Sequence, residues 1–162
     1  MSDRVIVIGA GASGLVAAGK AAERGKEVLL LEKNDRAGKK LLISGKGRCN
    51  ITNTADIDGL IQNTPGNGHF LYSTFYTFSN TDLLEMLHSE GLETKVERGG
   101  RVFPVSDNAA DVVKTLVRYA EKRGAVIKFK SPVDKIEANN GKVTGVVLKD
   151  GSVIEGSSVI LA

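Results

Sequence analysis

An α/β fold with a parallel sheet and a separate antiparallel three-stranded β-meander is the class this sequence predicts. Three observations predict it. Val5–Ile8 (VIVI) and Glu27–Leu31 (EVLLL) are short continuous apolar runs, the pattern of strands covered on both faces. A helical pattern lies between them, and strand, helix and strand within about thirty residues make a βαβ unit with parallel neighbouring strands. Farther on, Asn140-Gly141 and Asp150-Gly151 separate three β-rich runs, and both dipeptides are strong hairpin signals.

In order along the chain, Val5–Ile8 ends at Gly9 and a helix is expected over 12–24. Leu15, Ala18 and Ala22 sit near helical spacing there, and Gly25 serves as the stop. Residues 33–79 carry little regular pattern and read as one long loop. A loop of this length is usually functional or disordered. Its aromatics (Phe70, Tyr72, Phe75, Tyr76 and Phe78) argue for order, since something must cover them. Asn80 or Thr81 is expected to cap a helix through Leu83, Leu84 and Leu87 to Gly91. Residues 93–97 and 101–105 form a hairpin around Gly99-Gly100. A helix follows over 107–123, with Val112, Val113, Leu116, Val117 and Ala120 on one side and Gly124 as stop. A strand over 125–129 precedes the meander, 133–155, made of runs 133–138, 142–148 and 152–155. Residues 157–162 (SSVILA) read as a further buried strand.

The 162 residues suffice for one domain with its own core, expected over 1–162. The net charge of +3 is too small to argue for a nucleic-acid partner. No apolar run approaches the roughly 20 residues of a membrane span. A single cysteine excludes an internal disulfide and suits a reducing cytoplasm, and the early strand at Val5 leaves a signal peptide no room. Because the chain stops inside an apolar strand, it is expected to be the N-terminal portion of a longer protein.

The first chemistry-bearing motif is Gly9-Ala10-Gly11-Ala12-Ser13-Gly14, a GxGxxG between a strand and a helix. Gly9 allows the tight turn, Gly11 lets the backbone approach a pyrophosphate, and Gly14 lets helix and strand pack closely. The helix N-terminus, at Ala12 and Ser13, presents N–H groups to the anion. Glu32 lies 18 residues after Gly14 at the end of the second strand, where a carboxylate can accept both ribose hydroxyls of an adenosine. A 2′-phosphate would be repelled there, so the expected ligand is an ADP-containing dinucleotide of the Rossmann type.

The second motif is Ser44-Gly-Lys-Gly-Arg-Cys-Asn-Ile-Thr-Asn53, which gathers two glycines, two cations and the lone cysteine. Lys33, Arg36, Lys39, Lys40, Lys46 and Arg48 fall within sixteen residues, opposed only by Asp35. A solvated basic face is the competing explanation. A nicotinamide dehydrogenase usually continues with another helix and strand soon after Glu32, whereas this chain has a long basic excursion. FAD adds a ribityl chain and a large ring that need a bed, so FAD is the expected cofactor, with NAD(P)H among the candidate reductants. In this reading Gly45 and Gly47 permit close backbone approach. Lys33, Lys39, Lys40 and Arg48 line the cofactor and offer charge to phosphates, and Ser44 and Asn50 offer bonds to ribityl or flavin oxygens.

The segments 32–53 (EKNDRAGKKLLISGKGRCNITN) and 97–113 (ERGGRVFPVSDNAADVV) resemble the YhiN-type flavoproteins, bacterial FAD-binding enzymes of the aminoacetone oxidase or bile-acid 3-dehydro-reductase type. The resemblance spans essentially the whole chain, and SGxGRCN and GRVFP are far more specific than the glycine fingerprint. The family usually has a third glycine where this sequence has Lys46. The resemblance implies the two-dinucleotide-binding flavoprotein fold, in which a β-meander interrupts the FAD domain. It also implies that Val133 meets the adenine through its backbone, and that members continue well beyond this length.

Cys49 has two readings: a small buried hydrophobe, or a cofactor-lining thiol of lowered pKa beside cations. His69 and His88 have no metal-like spacing, His88 reads as a surface residue, and no catalytic residue is assigned. The expected function is hydride transfer through flavin N5 to or from a small-molecule substrate. A non-catalytic nucleotide-binding module and an RNA-acting flavoenzyme are the alternatives. The last ranks lowest because cations and aromatics lie in separate stretches. The oligomeric state is left open.

Overall fold

The computed structural model describes residues 3–162; the expected domain and the N-terminal reading begin two residues earlier, outside the described residues. The chain forms two compact units, one of residues up to Leu41 together with Leu116–Ala162, the other Leu42–Thr115.

The first unit is built on a four-stranded parallel sheet. Its strands are β1 (Val5–Ile8), β2 (Val28–Leu31), β6 (Val126–Lys128) and β10 (Ser158–Leu161), in the order β10-β1-β2-β6. Val5 stands opposite both Val28 and Ser158, so the carboxyl ends of β1, β2 and β10 finish together. The crossover between β1 and β2 is α1 (Ala12–Glu23), whose buried face is Gly14, Leu15, Ala18, Gly19 and Ala22. Gly19 is a notch, since a Cβ there would lie 2.1 Å from Tyr119 Cε1. Tyr119 is fully buried, and the Arg123 guanidinium covers its ring at 3.8 Å. The meander is β7 (Val133–Asn139), β8 (Lys142–Leu148) and β9 (Val153–Glu155), antiparallel in that order. Both central residues of its first turn, Asn140 (φ 50) and Gly141 (φ 74), have positive φ, which the twist of a two-residue hairpin favours. The meander packs on the parallel sheet through Ile6, Leu31, Val146 and Leu148, with Ile8, Leu29, Val133, Ile154 and Val159 around them.

The second unit holds a small antiparallel sheet in the order β3-β5-β4, from β3 (Thr52–Asn53), β4 (Thr94–Glu97) and β5 (Arg101–Pro104). Around it lie α3 (Ile57–Gln62), α4 (Tyr72–Thr77) and α5 (Asn80–Ser89). The chain enters this unit through α2 (Lys39–Ile43) and leaves it along α6 (Ala109–Lys122).

Five expectations are corrected. The 33–79 excursion contains α2, α3, α4, β3 and two 3-10 turns, each too short to show a period in sequence. The cap of α5 is Ser79, which accepts from Asp82 N while Asp82 accepts from Ser79 N, a reciprocal capping box. The helix expected from 107 starts at Ala109 because Asp107 is left-handed (φ 54), and Asn108 Oδ1 accepts from Ala110 N at 3.0 Å. Phe70, Tyr72 and Tyr76 are exposed, and the two tyrosines stack on each other, ring centroids 4.9 Å apart. Finally, β10 is half-buried with Leu161 exposed, because among the described residues it pairs on one side only. His88 is exposed as expected and bonds Thr94 Oγ1 at 2.7 Å.

Candidate functional site

The carboxyl ends of β1 and β2 place the glycine turn and Glu32 side by side. Gly9 (φ 105) turns the chain out of β1, and its N–H donates to Leu31 O at 2.8 Å. The three motif glycines have different reasons. A Cβ on Gly14 would stand 1.9 Å from Gly9 O, and one on Gly9 would meet Ala162 O at 2.7 Å. These two glycines let α1, the turn and the end of β10 close on one another. A Cβ on Gly11 would meet nothing within 4 Å. Gly11 therefore borders open space. Gly11 is the N-cap of α1 and offers no side-chain oxygen to the first-turn N–H groups; Ala12 and Ser13 are exposed beside it.

Glu32 is a buried acid with three protein donors. Its Oε2 accepts from Ala10 N at 2.8 Å, and its Oε1 accepts from Asn34 N at 2.8 Å and Asn34 Nδ2 at 2.6 Å. Burial opposes its charge, but the bonds from Asn34 and Ala10, with Lys33 nearby, outweigh that and hold the carboxyl below its ordinary range. Its backbone is tied as firmly: Glu32 O accepts from Ser131 N at 2.8 Å and Asn34 O from Lys130 N at 2.8 Å. The segment leading into Val133 is thus bonded alongside the glutamate. Asn34, Ala10 and Ser131 were not singled out from sequence. The only local signal was a turn-forming asparagine two positions after the acid.

Lys39 and Arg48, expected to offer charge to phosphates, both have protein partners in the structure. Lys39 Nζ donates to Asn34 Oδ1 at 3.0 Å and pairs with Asp35 at 3.4 Å. In the second unit, Arg48 forms ion pairs with Glu97 and with Asp107, the latter through Nε at 2.8 Å, and lies 4.2 Å over the Phe103 ring. Lys95 joins the network at Asp107 at 2.5 Å. Arg48 pulls the Glu97 carboxyl below its usual range, and Lys95 with Arg48 does the same to Asp107. The guanidinium charge is compensated within its own unit, by carboxylates 49 and 59 residues away. Among the described residues, the cations of the basic stretch that carry no ion pair or hydrogen bond include Lys33, Lys40 and Lys46.

The loop Ser44–Gly47 is a 3-10 turn with Gly45 (φ 55), Lys46 (φ 59) and Gly47 (φ 85) all left-handed, followed by Cys49 at φ 62. Lys46 thus occupies a conformation natural to glycine. The turn is closed by Cys49 N donating to Ser44 O at 3.1 Å. Cys49 is 1% exposed, and burial raises its thiol above the ordinary range despite a bond with Ser44. That environment fits the buried-hydrophobe reading and opposes a nucleophilic thiolate. Asn50 is exposed at the end of the loop. The described residues contain no group of three or more candidate metal ligands, and no helix long and apolar enough to cross a membrane.

Residues 3–162 match the family model described as the HI0933-like protein Rossmann domain. The chain is 38% identical to the 3-dehydro-bile acid delta(4,6)-reductase of Clostridium scindens, over 99% of this chain and 38% of that protein. It is 30% identical to the ribosomal RNA dihydrouridine synthase of Haemophilus influenzae, over 97% of this chain and 39% of that protein. The chain therefore spans well under half the length of these curated relatives. Among solved structures, it shares its fold with the 3-ketosteroid-delta4-(5alpha)-dehydrogenase from Rhodococcus jostii, with a TM-score of 0.72 and 18% identity. That match covers 97% of this chain and 44% of the other.

Proposed function

The chain belongs to the HI0933-like Rossmann domain family, and from that premise we propose that it forms the FAD-binding portion of a flavin-dependent oxidoreductase. The observation that carries the proposal is the contrast among the motif glycines: Gly9 and Gly14 are closed by the protein, while Gly11 faces open space beside uncapped N–H groups. Glu32 supplies the second half of the fit, a buried carboxylate kept ionised at the end of β2. Bound FAD would supply reversible hydride exchange at its flavin ring, with NAD(P)H or an organic donor as reductant.

This chain's own residues bind and orient. The backbone of Gly11, Ala12 and Ser13 receives the pyrophosphate. Lys33 and Lys40, which carry no ion pair or hydrogen bond among the described residues, offer it charge. Glu32 takes the adenosine ribose, and the segment at Val133, bonded alongside Glu32 through Ser131, takes the adenine. In the second unit, the backbone of Gly45 and Gly47 and the exposed Asn50 side chain are the loop groups open to a ligand. Ser44, Arg48 and Cys49 hold that loop in shape.

The names of both curated relatives describe saturation of a carbon–carbon double bond. We assign the same reaction class here, with a small molecule carrying a carbonyl-conjugated double bond as the first substrate reading. A uridine in ribosomal RNA is the second reading, favoured by the Haemophilus influenzae relative. Titration with FAD, followed by flavin fluorescence, tests the cofactor assignment. Saturable binding that competes with ADP is expected; absence of binding, or binding indifferent to ADP, would overturn it. Reoxidation of the reduced flavin by a 3-keto-4,6-diene steroid, set against ribosomal RNA, separates the two substrate readings.

A further inference from the structure

Glu32 has fewer open acceptor positions than ribose recognition by a bare carboxylate would use. A carboxylate offers about four lone-pair positions, two on each oxygen. Both positions of Oε1 are taken by Asn34, through its backbone N–H at 2.8 Å and its Nδ2 at 2.6 Å. Among the described residues Oε2 accepts only from Ala10 N, at 2.8 Å, which leaves one position open.

The arrangement is braced on the far side. Lys39 Nζ donates to Asn34 Oδ1 at 3.0 Å, which fixes the amide so that its NH2 end faces Glu32. Asp35 in turn holds Lys39 at 3.4 Å. For a ligand hydroxyl to take the place of Nδ2 on Oε1, the amide must swing away from a charged acceptor and give up its bond from Lys39. Bonds to charged groups are the strong ones, so displacement is disfavoured against use of the position already open.

Resting on the dinucleotide reading above, we propose that Glu32 accepts one ribose hydroxyl of the bound nucleotide and not both, and that Asn34 is the positioning residue that imposes this limit. Ala10 N shares Oε2 with that hydroxyl, so the glycine turn and the ribose are coupled through a single oxygen. The second hydroxyl is left to solvent or to backbone groups, and its loss is weakly felt.

The test is competition of ADP, 2′-deoxyADP and 3′-deoxyADP against bound FAD, read by flavin fluorescence. In the unsubstituted protein, one deoxy analogue is expected to bind about tenfold or more weakly than ADP, the loss of one bond to a charged acceptor. The other analogue is expected within about threefold of ADP. In Asn34→Ala the Oε1 position held by Nδ2 opens while the backbone donor stays, and the indifferent analogue is expected to become discriminated as well. Asn34→Ser, which replaces the amide with a short hydroxyl donor, is expected to fall between. Comparable losses for both analogues in the unsubstituted protein, or no loss for either, would overturn the inference while leaving the dinucleotide reading intact. If ADP itself fails to compete, the dinucleotide reading falls and this inference falls with it.

Discussion

Gly14→Ala and Gly11→Ala form a matched pair with opposite expected costs. At Gly14 the new Cβ falls 1.9 Å from Gly9 O, whereas ordinary contact begins at 3.4 Å. The first turn of α1 and the Gly9–Ala10 backbone must therefore separate by about 1.5 Å, the difference of those two distances. The obstacle is backbone, not the flexible end of a side chain, and Gly9 is held to β2 through its bond to Leu31 O. Overpacking of this kind costs about 1–3 kcal/mol, and a rigid backbone neighbour places it near the top of that range. For a chain of this size, about 3 kcal/mol lowers the melting temperature by about 6–12 °C. Gly11 is the opposite case. Its φ of −79° and ψ of −173° suit any residue, and its Cβ meets nothing. Alanine there restricts the unfolded chain and is expected to stabilise the ligand-free protein by about 0.4–1 kcal/mol. Its cost appears only in binding, where the methyl occupies the space a pyrophosphate needs; an affinity loss of at least about tenfold is expected. Ligand-free thermal melts by circular dichroism and FAD titrations of both variants check the pair. Unchanged FAD affinity in Gly11→Ala would refute the open-cradle argument. A Gly14→Ala melt within about 2 °C of the parent, under 1 kcal/mol, would refute the packing argument.

Lys46→Gly relieves a left-handed non-glycine residue, so stabilisation of up to about 1 kcal/mol is expected, read as a rise in denaturation midpoint; a fall would mean the lysine makes a compensating contact. Cys49 is expected to react slowly with iodoacetamide in the native protein and rapidly in denaturant, since it is buried and its thiol is raised. Fast native labelling would show a reactive thiolate instead. The carboxyl of Glu32 is lowered from 4.5 in the folded state, so its contribution to stability is full above that value and disappears as pH falls through the folded-state value. Melting temperature should accordingly fall on acidification below about pH 4.5, and less steeply in Glu32→Gln; identical slopes would remove Glu32 from the acid response.

The sequence by itself determined the βαβ unit, the meander and the dinucleotide fingerprint, because each is written in neighbouring residues. The apolar runs at Val5–Ile8 and Val28–Leu31 can be buried on both faces, Asn140-Gly141 can take the two positive φ values of its turn, and Gly14 has to be small wherever a helix closes on a strand. SGxGRCN and GRVFP likewise carried the family resemblance as linear strings. The partners of the charged residues were decided by tertiary structure alone. Arg48 faces Glu97 and Asp107 because the fold brings the residue-48 loop against the β4–β5 hairpin and the turn after it, 49 and 59 positions on. The occupancy of Glu32 was likewise invisible, since one of its donors, Ala10, lies 22 residues earlier and meets it only where β1 and β2 end together. The one- and two-turn helices of 39–77 exist through packing, being too short to hold themselves or to show a period. Local dihedral preference and periodicity are properties of a stretch of chain. Which lone pairs and which charges remain open to a ligand depends on every group folded around them, and that is settled only when distant segments meet.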